Sequence, residues 1–292
     1  INSTFENNSA RTYAGALYIM SDSRYNKTII NTTFVNNDGC RAGAIFTSLA
    51  PLYITNCSFI GNKAIDKNTG YEASGGAIYD HSSELTIVNT EFINNTADEN
   101  GGALELGNTM STYSSGENIT DNIDWTIIKN CTFDNNYARK EGGAIYNGKN
   151  IAYTNISDSR FTNNFALVTG GVMTNYFGFI WADNCEFINN EASEASIIYM
   201  YGHYNYPFDF YANLTVKNSK FMNNTGERLF ELSTDYCYLD IINSTFNETG
   251  LFIQNDGTVY LEGNVVENIH EGIVIDNKYM LSLKNNSFNC NG

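Results

Sequence analysis

The unit Asn130-Cys131-Thr132-Phe133-Asp134-Asn135-Asn136-Tyr137-Ala138, followed by Gly142-Gly143-Ala144-Ile145-Tyr146, recurs along the whole chain. Aligned on the phenylalanine, the copies fall at Phe5, Phe34, Phe59, Phe92, Phe133, Phe161, Phe187, Phe221, Phe246, Val265 and Phe288. Self-similarity at a spacing of about 20 to 40 residues marks a solenoid, in which each unit buries its apolar face only against its neighbours. Three residues after the phenylalanine the column reads Asn8, Asn37, Asn62, Asn95, Asn136, Asn164, Asn190, Asn224, then Thr249, Asn268 and Asn291. Three residues before it stand Asn31, Asn56, Asn89, Asn130, Asp158, Asn184, Asn218, Asn243, Glu262 and Asn285. One residue type so often at one phase argues that these side chains stack as amide ladders.

The apolar residues alternate, as in Leu52-x-Ile54, Leu85-x-Ile87, Leu214-x-Val216 and Val259-x-Leu261, which reads as short strands. The Asn- and Gly-rich stretches between them supply corners. Three short strands per copy give an all-β fold: a single right-handed parallel β-helix of about ten coils with internal Asn ladders. Residues 1–292 are expected to be one domain, with regular coils over 1–226 and more degenerate, tighter coils over 227–292. The column Leu17, Ile45, Ile78, Leu104, Ile145, Met173, Ile198, Phe230, Phe252 and Val274 faces the core by alternation. The glycine two residues earlier then faces inward too, leaving room for a stacked phenylalanine. Excursions at Lys63 to Ser74, Gly107 to Asn122 and Tyr201 to Ala212 are expected to be loops on one face.

The formal charge of −16 disfavours nucleic acid and anionic membrane surfaces as partners. No run of about 18 apolar residues is present, so direct membrane insertion by this segment is not expected. The chain reads as a piece of a longer extracellular protein, flanked by further domains, with signal and anchor elsewhere. Cys57, Cys131 and Cys185 occupy a small-residue slot two places before the phenylalanine that other coils fill with Thr32, Thr90, Ser159, Ser219 and Ser244. In alternate coils, about 10 Å apart, they are too distant for disulfides and read as buried free thiols.

Paired Gly-Gly-Ala-Ile and Phe-x-x-Asn motifs, as in Gly143-Ala144-Ile145 with Phe133 to Asn136, resemble the repeats of chlamydial polymorphic membrane proteins. The dense Asn and Tyr content also resembles the adhesin-like surface proteins of gut methanogenic archaea, which have parallel β-helix repeats. The resemblance covers nearly the whole chain, more strongly before Glu227. It implies a cell-surface adhesin that attaches to a glycan or protein on another cell, and it transfers no catalytic residue.

Within that reading the aromatic excursion supplies Tyr199, Tyr201, His203, Tyr204, Asn205, Tyr206, Asp209 and Tyr211 as candidate ligand-binding residues. An aromatic face packs on the apolar face of a pyranose while hydroxyl, amide and carboxylate groups bond its edge. The outward column Tyr18, Phe46, Tyr79 and Tyr146 is a second candidate, since a strand spacing of about 4.8 Å approaches a sugar repeat. A polysaccharide lyase or glycoside hydrolase is the rival reading, because hydrolysis needs two carboxylates about 5 to 9 Å apart. The pairs Asp121 with Asp124, Asp98 with Glu99 and Asp235 with Asp240 lack a supporting cluster, so no catalysis is expected. A structural spacer of a surface layer is the third reading. His81, His203 and His270 are widely separated, and neither cofactor nor metal is expected. Among the Asn-x-Ser/Thr sequons, Asn56, Asn130 and Asn243 fall in a ladder column and are expected to be inaccessible; Asn26, Asn118 and Asn213 lie nearer loops.

Overall fold

The computed structural model describes residues 1–20, 25–81, 84–107, 125–148, 152–205, 208–247, 252–268 and 274–289. Strands from successive units stack in parallel into three long sheets, the arrangement of a parallel β-helix. The phenylalanine sheet has eleven strands, from Thr4–Glu6 to Ser287–Asn289. The sheet after the paired glycines has ten, from Leu17–Met20 to Val274–Asn277, and the third sheet has ten, from Lys27–Ile30 to Met280–Lys284. A fourth sheet was not foreseen: six two-residue strands, from Asp38–Gly39 to Glu191–Ala192, lie between the Asn ladder and the glycines.

The core is a file of rings. Phe34, Phe59, Phe92, Phe133, Phe161, Phe187, Phe221 and Phe246 are buried, and each stacks on the next with centroids 4.5–5.3 Å apart. In the last coils the register departs from the sequence alignment by one residue. Phe246 pairs with Val266, not Val265, and Phe230 with Ile253, not Phe252. Val274 is 48% exposed, and Ile275 takes the inward place instead. The corner there is Gly263 rather than Glu262, and Asn268 moves out of the inner column to a left-handed corner.

The two asparagine columns differ in kind. The inner one is a closed ladder: Asn136 Nδ2 donates to Phe92 O at 2.9 Å and Asn164 Oδ1 at 3.0 Å, while its Oδ1 accepts from the backbone and side chain of Asn95. The same pattern runs from Asn37 to Asn190, so every amide valence is met without water. The other column is a row of exposed corners. Asn31, Asn56, Asn89, Asn130, Asn184, Asn218, Asn243 and Asn285 have φ between 49° and 55°, the left-handed region that Asn tolerates better than most residues. Asn56, Asn130 and Asn243 are therefore exposed, contrary to expectation, because the corner directs the side chain away from the core. Asp158 accepts from Asn184 at 2.9 Å, but a carboxylate cannot donate onward to Asn130.

The paired glycines are required by backbone approach, not by the phenylalanine rings. A Cβ on Gly143 would lie 2.1 Å from Gly171 O and 2.8 Å from Phe165 N, in the next coil. The slot holding Cys57, Cys131 and Cys185 is a ladder of its own. The Cys131 N–H donates to Ser159 Oγ at 3.1 Å, and its thiol points at Lys129 O, 3.2 Å away. Cys40, Cys57, Cys131, Cys185 and Cys237 are buried free thiols, and burial pushes Cys131 and Cys185 each up to about 11. Cys290 lies outside the described residues.

Candidate functional site

The candidate residues divide into three places. Tyr18 stacks on Phe46, and Phe46 on Tyr79, at 5.3 Å each on the outer face of the glycine-following sheet. Although these rings point away from the core, Phe46 and Tyr79 are buried, and only Tyr18 is exposed. Tyr13 packs against the stack, and Tyr71 packs against Tyr13. The Arg41 guanidinium carbon lies 5.0 Å from the Phe46 centroid, 5.3 Å from Tyr71 and 4.7 Å from Tyr79. Its Nη2 donates to the Tyr79 hydroxyl at 3.1 Å. Burial, with the Glu105 carboxylate adding to it, pushes the Tyr79 phenol up to about 12. This part of the column is a covered clasp, so it is not an open platform for a polymer.

Beyond the buried Glu105 the column opens into a second cluster around a residue that the sequence reading did not single out. Tyr176 lies 5.7 Å from Tyr146, 6.0 Å from Tyr199 and 5.6 Å from Tyr201. All four rings are half-buried. The Tyr176 hydroxyl donates to Glu141 Oε1 at 3.4 Å, and the buried Glu141 Oε2 has no hydrogen-bond partner among the described residues. Burial raises the Glu141 carboxyl, and burial beside Glu141 raises the Tyr176 phenol. On the same sheet face, Glu231 is also raised by burial, against the pull of Arg228 at 2.8 Å.

The excursion after Tyr201 is an antiparallel hairpin of His203–Asn205 with Phe208–Phe210. Its base closes on Phe177, a non-glycine corner with φ 56°, whose ring meets His203 at 4.8 Å and Phe210 at 5.5 Å. Tyr204, Asn205 and Asp209 lie on the hairpin strands, and Tyr206 falls outside the described residues. Tyr211 belongs elsewhere, 5.8 Å from Tyr236 and 5.7 Å from Tyr238. The structure thus joins Tyr146, Tyr199, Tyr201 and His203, and separates them from Tyr18, Tyr79 and Tyr211.

A third aromatic group was missed in the sequence although both tryptophans lie in it. Trp125, Tyr153, Phe179 and Trp181 sit at outward positions of the third sheet with near-parallel planes, Tyr153 lying 5.0 Å from both Trp125 and Phe179. The signal was present as aromatics in outward strand phases. Trp125, at the end of the stack, is exposed. Among the described residues no group of three His, Cys, Asp or Glu side chains could hold a metal ion. Asp98 accepts from the Asp66 N–H at 2.9 Å and Glu99 pairs with Lys140 at 3.1 Å, while Asp121 and Asp124 lie outside the described residues.

Residues 56–80, 89–105 and 130–148 match the family model of the Chlamydia polymorphic membrane protein repeat. Each matched stretch opens on a left-handed corner, Asn56, Asn89 or Asn130, and runs through the phenylalanine and inner asparagine into the strand after the glycines. Three consecutive coils therefore carry a repeat similar to that family's. No curated protein and no solved structure matches the chain. No helix among the described residues is long and apolar enough to cross a membrane.

Proposed function

We propose that this chain is part of a cell-surface adhesin that holds a glycan through the tyrosine cluster beside the hairpin. The observation that carries the reading is the convergence of Tyr146, Tyr176, Tyr199 and Tyr201 with Glu141, which offers ring surface and hydroxyl groups within one sugar's reach. The similarity to a surface-protein repeat supports an extracellular setting. The resemblance to methanogen adhesin-like proteins points the same way. The partner is a glycan or glycoprotein of another cell.

The test is retention of surface polysaccharides by the purified protein, read by mass spectrometry. Retention of an intact glycan, weakened at least tenfold in Tyr176→Ala and Tyr201→Ala and partly in Tyr176→Phe, is the expected result. Shortened products would replace this reading with an enzyme using the half-buried acids. A second reading, a plain spacer, draws on the burial of Phe46 and Tyr79 under their clasp; absence of both retention and cleavage would favour it.

A further inference from the structure

The exposed corner row has a chemistry that the adhesion reading does not use. Asn130 opens the sequon Asn130-Cys131-Thr132, and its left-handed backbone turns the amide into solvent while Cys131 is buried. Its Nδ2 gives one hydrogen to Asn89 Oδ1 at 2.9 Å; the other meets no acceptor among the described residues. An N-linked sugar replaces one amide hydrogen and leaves one, so the rung to Asn89 survives the substitution. The inner ladder cannot make the same exchange. Asn136, 1% exposed, spends both hydrogens on Phe92 O and Asn164 Oδ1.

Two further observations bear on the same residue. An open groove of ≈ 430 Å³ runs past Asn130 and Thr132, is lined by Ser58, Asn89 and Glu91, and reaches the sequon residue Asn56 at its other side, so it gives a first sugar polar surroundings at either asparagine. The corners one strand spacing away, about 4.8 Å, compete for that space. Neither neighbour of Asn130 is a competitor: Asn89 is followed by Thr90-Glu91, which lacks the second-position hydroxyl, and Asp158 has no amide. Asn31 and Asn56, by contrast, are adjacent sequons, and the hydroxyl of Ser58 is already bonded to Glu91 at 2.7 Å.

We propose that Asn130 is an N-glycosylation site, accepting a glycan from a lipid-diphosphate-linked sugar donor. Asn130 Nδ2 forms the bond to the anomeric carbon, the carbon–oxygen bond to the lipid diphosphate breaks with its electron pair, and the amide proton passes to the transferase. Thr132 supplies the hydroxyl that the acceptor sequence needs. The proposal is independent of the tyrosine cluster.

The test has two parts. Peptides of the protein purified from its own cells are mapped by mass spectrometry, and Asn130 is expected to carry sugar while Asn89 and Asn136 do not. The purified chain is then offered to membranes that contain an oligosaccharyltransferase and its lipid-linked donor. Thr132→Val, an outward substitution that keeps the shape, should cut transfer to Asn130 at least tenfold, and Thr132→Ser should keep it. An unmodified Asn130 in the native protein overturns the proposal, as does undiminished transfer to Thr132→Val.

Discussion

Phe133 lies face to face with Phe92, ring centroids 4.7 Å apart and 7° from parallel. Phe161 covers its other face at 4.8 Å. With no exposed surface, the ring has no way to be replaced by water, so Phe133→Ala should destabilise by about 3 to 5 kcal/mol through the cavity it leaves. Denaturant melts check this; a loss below about 1 kcal/mol would contradict the continuous ring file.

Removing the Asn136 side chain takes the acceptor from the Asn95 N–H and from one Asn95 Nδ2 hydrogen, and removes one donor each from Phe92 O and Asn164 Oδ1. At about 1–3 kcal/mol for each unsatisfied donor, Asn136→Ala should lose at least ~2 kcal/mol. Asn136→Asp should be worse at neutral pH than in acid, because a buried carboxylate has its pKa raised and gives up stability as pH rises through it. Thermal melts at pH 4 and pH 7 would show the difference; equal losses at the two values would refute it.

Arg41 lies over three rings, those of Phe46, Tyr71 and Tyr79, and also donates to the hydroxyl of the last. A desolvated cation–π contact is worth about 2 kcal/mol, so Arg41→Ala should speed proteolytic cutting near Tyr71 by at least tenfold. Arg41→Lys should restore less than half of the protection, since an ammonium lacks the planar fork. Protection unchanged in Arg41→Ala would mean that the rings hold the loop unaided.

Glu141 has its carboxyl raised by burial, with the Tyr176 hydrogen bond only partly opposing this. A raised carboxyl binds its proton more tightly in the folded state. Its contribution is complete below the ordinary value of 4.5 and is lost as pH rises through the folded pKa. Glu141→Gln should therefore melt higher than the parent at pH 7 and no higher at pH 4. A higher melting point at pH 4 alone would reverse the sign and refute the account.

Most of the fold was legible in the sequence because a ring or an amide that stacks on its own copy must keep its identity and phase, as Phe133 and Asn136 do. The degenerate end lost that signal. Without the Gly-Gly pair and the Asn-Asn pair, nothing distinguished Val265 from Val266, and a one-residue slip exchanges inside for outside. The two asparagine columns looked alike as text, yet one satisfies amides in the core and the other turns a corner. The fate of the aromatic column was hidden for another reason. Whether Tyr79 sees solvent depends on Arg41, 38 residues away, and no local pattern records that.

The hydrogen bonds of the inner ladder lie along the stacking direction and join one coil only to the next. Tension between the two ends of such a rod meets them in series, so the molecule yields like a zip, one turn at a time. The 28 residues between Asn136 and Asn164 span a single strand spacing, about 4.8 Å, while folded. Drawn out, they reach roughly 95 Å. A pull that frees one turn is thus absorbed as length, and the turns still closed on either side keep their shape.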